Sequence, residues 1–169
     1  MKSLSLKSLS IGELFAVYAN ILSELRARGV VRSTNNPIAD YAEYLCARAL
    51  SLSTAPKSTM GFDAIGPNNE KCEIKARRVT PQNPSRELSA LRGLKDRKFD
   101  FLVGVLFDED FKVARACLIP HAVVLNTAKY SQYTNAWRFH LRDSLLSLEG
   151  VVDLTSKLRD AEAASRGSY

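Results

Sequence analysis

"GFDAIGPNNEKCEIKARR", residues 61–78, is the stretch on which the reading of the whole chain turns. It divides at Pro67, Asn68 and Asn69, a run of turn formers. Ahead of the turn, Phe62 to Gly66 reads as a short strand. Behind it, residues 71–79 alternate: Cys72, Ile74 and Ala76 point one way, and Lys71, Glu73, Lys75 and Arg77 the other. The stretch is therefore expected to be a hairpin with one apolar and one charged face. Glu73 and Lys75, two positions apart, leave the same face roughly 7 Å from each other along the strand. Asp63 reaches that face if the two strands pair. Taken alone, the spacing fits an exposed charged edge or a covered site in which each charge needs a partner.

The second alternative has a definite chemistry. Hydrolysis of a phosphodiester needs a water made nucleophilic and a leaving oxygen stabilised. Mg²⁺ supplies both from an octahedral shell of oxygens, with Mn²⁺ as the alternative ion. Two carboxylates, Asp63 and Glu73, and the backbone carbonyl of Ile74 form a candidate ligand set. A lysine at position 75 suits the orientation of the water and the charge that develops on the phosphate.

Working outward, the apolar positions Leu14, Phe15, Tyr18, Ile21, Leu22 and Leu25 recur at three and four, which predicts an amphipathic helix over 11–28. A second helix is expected from Pro37 to about Leu50, with Asn36 as its cap. Beyond the hairpin, residues 85–95 read as a short helix. Residues 99–108, nearly all apolar, read as a strand buried on both faces. Strands over 112–120 and 136–143, a short helix over 120–128 and a C-terminal helix complete the chain. The order α-α-β-β-α-β-β-α-β-α predicts an α/β (α+β) fold: a mixed central sheet flanked by helices.

At 169 residues, with 46% hydrophobic and 25% charged residues, the chain is expected to fold as one domain. Its expected parts are a leader and helix over 1–35, a core over 36–120, and a C-terminal strand and helices over 121–169. No apolar tract is long enough to span a bilayer, and the start lacks the pattern of a secretory signal. A cytoplasmic protein with no membrane partner is therefore expected. Cys46, Cys72 and Cys117 are odd in number and widely spaced, as free thiols rather than disulfides or zinc ligands.

Charge is unevenly placed. Nine basic and three acidic residues lie between Lys71 and Lys98, so this segment carries the whole net charge of +6. A concentrated positive field of this kind favours a polyanionic partner, nucleic acid first. Arg77, Arg78, Arg86 and Arg92 are the candidate phosphate clamps, since the planar guanidinium fork matches phosphate oxygens. Asn83 and Gln82, in the loop after the strand, are candidate base readers or turn formers. His121 and His140 have no triad partner and are assigned no role.

The pattern of "GFDAIG" followed by "EIK" resembles the core of the PD-(D/E)xK nuclease superfamily, the restriction-endonuclease-like fold. The resemblance spans about residues 36–120 and extends to small bacterial members of that superfamily. The proline of the motif's name is absent, and Phe62 precedes Asp63. The resemblance implies that Asp63 and Glu73 bind the metal, that Lys75 acts on the water, and that Glu43 in "DYAEYL" assists from the preceding helix. It implies a Mg²⁺-dependent endonuclease, with DNA favoured over RNA. Two other readings stay open. One is a non-catalytic nucleic-acid-binding protein that uses the helix pair 11–50. The other is a nuclease-like subunit of a larger complex. The apolar N-terminal helix also allows a homodimer.

Overall fold

The computed structural model describes residues 5–34, 36–56, 59 and 61–166. Its first long element is helix α1, Ile11–Ala27, opened by a capping box in which the Ser10 hydroxyl accepts from the Glu13 N–H and the Glu13 carboxylate accepts from the Ser10 N–H. Helix α2, Ile38–Leu50, follows Pro37, and the Asn36 side chain accepts from the Ile38 N–H at 3.1 Å. Then come strands β1 (Ser53–Thr54), β2 (Ala64–Ile65), β3 (Lys71–Arg78), β4 (Glu87–Leu91), β5 (Phe101–Phe107) and β6 (Val113–Pro120). Helix α3 (His121–Thr127), strands β7 (Lys129–Ser131), β8 (Ala136–His140) and β9 (Val152–Asp153), and helix α4 (Thr155–Arg166) complete the fold.

The strands make two sheets. The central one has the order β1-β2-β3-β5-β6-β9, antiparallel except for the parallel β3–β5 pair, whose register runs from Cys72 opposite Phe101 to Arg78 opposite Phe107. The expected mixed sheet flanked by helices is present. Strand β5 is buried along almost its whole length, as its unbroken apolar run requires.

Each face of this sheet has its own core. On one side, Cys72, Ile74, Val103, Val105 and Phe107 pack against Ala42 and Leu45 of α2 and Leu158 of α4. On the other, Leu102, Leu106 and Ile119 meet Leu88, Leu91, Phe139 and Leu141. The second core belongs to the small sheet β4-β8-β7, which lies over the charged face of β3. Gly104 marks how closely the layers approach: a Cβ there would stand 2.8 Å from Leu88 Cδ1.

One expectation is corrected. Residues 85–95 are not a helix but strand β4 followed by a 3-10 turn, Leu94–Asp96. Leu88, Leu91 and Leu94 are all buried and spaced by three, which mimics a helical stripe. The spacing arises instead from a register shift between Leu88 and Leu91 in the pairing with β8. The bulge turns both leucines onto one face.

Within the described residues no helix is long and apolar enough to cross a membrane. The three cysteines are free and buried, and burial pushes the thiols of Cys72 and Cys117 up to about 11.

Candidate active site

The site begins where the β2–β3 ladder ends. The Asp63 N–H donates to the Cys72 carbonyl at 2.8 Å, and the Asp63 carbonyl accepts from the Ala55 N–H at 2.9 Å. The backbone of Asp63 is thus held from both sides. Its side chain then takes over the ladder, with Oδ2 accepting from the Ile74 N–H at 2.7 Å. The carboxylate is thereby fixed beside β3. Its second oxygen makes no hydrogen bond among the described residues.

Glu73 and Lys75 leave β3 on the face predicted for them. The Lys75 ammonium bonds the Glu73 carboxylate, lies 3.8 Å from Asp63 Oδ2, and approaches the Ile74 carbonyl at 3.4 Å. All three charged side chains are more covered than exposed: 15% of Glu73, 23% of Lys75 and 27% of Asp63 remains accessible. This is a covered site, not an exposed edge. Burial pushes the Glu73 carboxyl above the usual carboxylate range. Lys75 opposes that shift, and the neighbouring Asp63 charge adds to it.

Glu43 faces the same group from α2. Burial raises its carboxyl, the Arg32 guanidinium resists, and the Asp63 and Asp40 charges push it further up. Arg32 bonds the Glu43 carboxylate directly. Its own position is set by Asp40, a buried acid of α2 whose Oδ2 accepts from the backbone N–H groups of Arg32 and Ser33 at 2.9 and 2.7 Å. A further bond runs from Arg32 Nη1 to the Ala55 carbonyl at 3.4 Å. Sequence reasoning missed Arg32 and Asp40. The only signal was an acid one helical turn before Glu43.

Among the described residues, no group of three or more His, Cys, Asp or Glu side chains is placed to cage a metal. The Asp63 and Glu73 carboxylates and the Ile74 carbonyl nevertheless fit a hard divalent cation, because they are all oxygen donors. A set this small leaves room for the waters that Mg²⁺ retains. Burial first, and the neighbouring Asp63 charge after it, raises the carboxyls of Glu73 and Glu43, and a bound cation would offset both.

The four arginines divide. Arg77 lies on the same β3 face as Lys75 and donates to the Glu87 carbonyl at 3.0 Å and to Asn83 Oδ1 at 3.2 Å, while its Nε is buried without a partner among the described residues. Arg78 points to the other face, donates twice to the Glu109 carbonyl and lies over the Phe111 ring. Arg86 grips Asp143 with both Nη atoms, at 2.9 and 3.0 Å. Arg92 is exposed and has no hydrogen bond or ion pair among the described residues. Asn83 closes the turn with Thr80, accepting and donating through its backbone. His121 is structural, with Nε2 donating to the Leu94 carbonyl at 2.7 Å. His140 stands 3.5 Å from Glu87 Oε2.

Against known proteins, no family model matches the chain and no curated protein matches it.

Proposed function

We propose that the protein is a Mg²⁺-dependent nuclease of the PD-(D/E)xK type that hydrolyses phosphodiester bonds of nucleic acid, with DNA favoured over RNA. The observation that carries this reading is the convergence of Asp63, Glu73 and Lys75 in a covered site where the carboxyl of Glu73 is pushed upward. Charge held in a partly buried place costs stability, and groups perturbed in this way concentrate where binding and catalysis occur. The element order also supports the superfamily: α2 carries Glu43, the β2–β3 hairpin carries Asp63 and Glu73-x-Lys75, and β5 lies parallel beside β3.

In this reading Asp63, Glu73 and the Ile74 carbonyl hold the cation. When bound, Mg²⁺ lowers the pKa of a coordinated water and neutralises charge on the departing oxygen. Lys75 orients the water and faces the phosphate oxygens. Glu43, braced by Arg32, adds negative charge near Asp63. The homodimer belongs to the same proposal, since two cuts in a duplex need two sites.

The test is cleavage of plasmid, linear and single-stranded DNA and of RNA, with Mg²⁺, Mn²⁺ or EDTA. Lys75→Ala is expected to lower the metal-dependent rate by about 100-fold or more. Equal cutting by both proteins would sink the reading. The bond from Lys75 to Glu73 also fits a closed structural ion pair, which favours a second reading as a non-catalytic nucleic-acid-binding protein. No cutting by either protein, with salt-sensitive binding intact in both, would select that reading.

A further inference from the structure

The small sheet carries a basic pocket that the site at Lys75 does not use. Its walls are the end of α3, strands β7 and β8, and the 3-10 turn Asp143–Ser147. The pocket encloses about 470 Å³. Lys129, Arg138 and Arg142 line it, with His140 beside them, and no acidic side chain does so among the described residues. All four lie outside residues 71–98, where the sequence concentrates its net charge.

Strand pairing brings these groups together. Lys129 stands directly opposite Arg138 in the β7–β8 ladder, so both leave the same face. His140 follows Arg138 by two residues and shares that face. Like charges set opposite each other destabilise a strand pair. Glu87, opposite His140 on β4, offsets part of this: its Oε2 accepts from Arg138 Nε at 2.8 Å and stands 3.5 Å from His140 Nε2. That carboxylate is committed to Arg138, whose hydrogen bond holds it below the usual carboxylate range. The Lys129 and Arg142 side chains have no hydrogen bond or ion pair among the described residues, and neither has the Ser144 hydroxyl. The hydroxyls of Thr127 and Ser147 donate instead to the Val123 and Ser144 carbonyls of their own turns. Two uncommitted cations and one hydroxyl thus surround a concave space, the complement of a phosphate group.

We propose that this pocket holds a backbone phosphate of the nucleic acid, to one side of the bond placed at Lys75. The two places are joined through Glu87. Its carbonyl accepts from Arg77 Nη1 on the Lys75 face, and its carboxylate holds Arg138 at the pocket. Strands β8 and β7 lie about 5 and 10 Å beyond β4, a span of a few nucleotides at about 3.4 Å of duplex axis each. The pocket rests on the nucleic-acid part of the reading above and not on its metal chemistry.

Binding of a labelled DNA duplex in EDTA, which holds off metal-dependent cutting, over a series of salt concentrations tests it. Lys129→Ala with Arg142→Ala is expected to weaken binding about tenfold at low salt and to lower the slope of log affinity against log salt by about one, as for one lost phosphate contact. Its melting temperature should match wild type, because neither side chain has a partner in the fold. Lys112→Ala with Lys157→Ala removes the same charge from the layer of α4, on the opposite side of the central sheet, and is expected to leave the slope unchanged. Equal losses in the two double variants would show an effect of net charge alone and overturn the pocket. So would wild-type affinity and slope in Lys129→Ala with Arg142→Ala, or no binding by wild type. Inorganic phosphate is the other source of the same chemistry. Thermal stabilisation by phosphate that the pocket variant loses, with duplex binding intact, would make this a free-anion site and overturn the proposal. Cleavage in Mg²⁺ separates the two readings. If wild type cuts nothing but the pocket variant loses affinity, the nuclease reading fails and the pocket stands. If wild type cuts, Lys75→Ala does not, and the pocket variant binds as wild type, the pocket alone fails.

Discussion

Glu73 shows at the scale of one residue how the site is built against stability. Its folded-state carboxyl is raised, first by burial and then by Asp63, and Lys75 does not cancel the effect. The folded chain therefore binds a proton at Glu73 more tightly than the unfolded chain does. Its contribution is favourable below the unfolded carboxylate range and is lost as pH rises through the raised folded value. Glu73→Gln removes that dependence. We expect the metal-free variant to unfold at a higher temperature than wild type at neutral pH, with the gap shrinking to nothing as pH falls toward about 4. Thermal unfolding of both proteins across that range checks it; a variant less stable than wild type at neutral pH would contradict the burial cost. Asp63, Glu73 and Lys75 were legible in the sequence because strand alternation and a short turn fix which side chains share a face. Arg32 was not. It reaches Glu43 from a loop, held by bonds to Asp40 that no periodicity encodes.

Among the elements, the loop between α1 and α2 depends on one buried carboxylate. Asp40→Ala would leave the Arg32 and Ser33 N–H groups without their acceptor. The expected cost is about 1–3 kcal/mol, at roughly 2–4 °C of melting temperature per kcal/mol for a chain of this size. Asp40→Asn, which keeps an acceptor oxygen, should recover most of it, and comparison of the two melting curves separates lost hydrogen bonds from lost charge. The helices, the hairpin and the two long strands were readable because each carries one unbroken period. Strand β4 was not, because its bulge puts Leu88 and Leu91 on one face at a helical spacing. The short strands β7 and β9 were missed because two or three residues hold too little pattern to register.

Over the whole molecule, the four candidate clamps of the positive segment do not act as one patch. Arg77, Arg78 and Arg86 are engaged within the protein, tying β3 to its neighbours and residue 86 to Asp143, while Arg92 stays exposed and unpaired among the described residues. If nucleic acid is the ligand, Arg92→Ala should reduce the slope of log affinity against log salt by about one, measured on a duplex across a salt series. An unchanged slope would remove Arg92 from the phosphate contacts. The small sheet that covers the charged face of β3 carries a further consequence. Glu87 pairs with His140, and Leu88 with Phe139, so the wall behind Lys75 joins residues far apart in the chain. During synthesis, residues 61–78 leave the ribosome long before residues 136–141 are made. The growing chain thus holds Asp63, Glu73 and Lys75 with no small sheet behind them, and that cover is completed only once β8 arrives. The charged face of β3 thus stays uncovered while the chain is being translated.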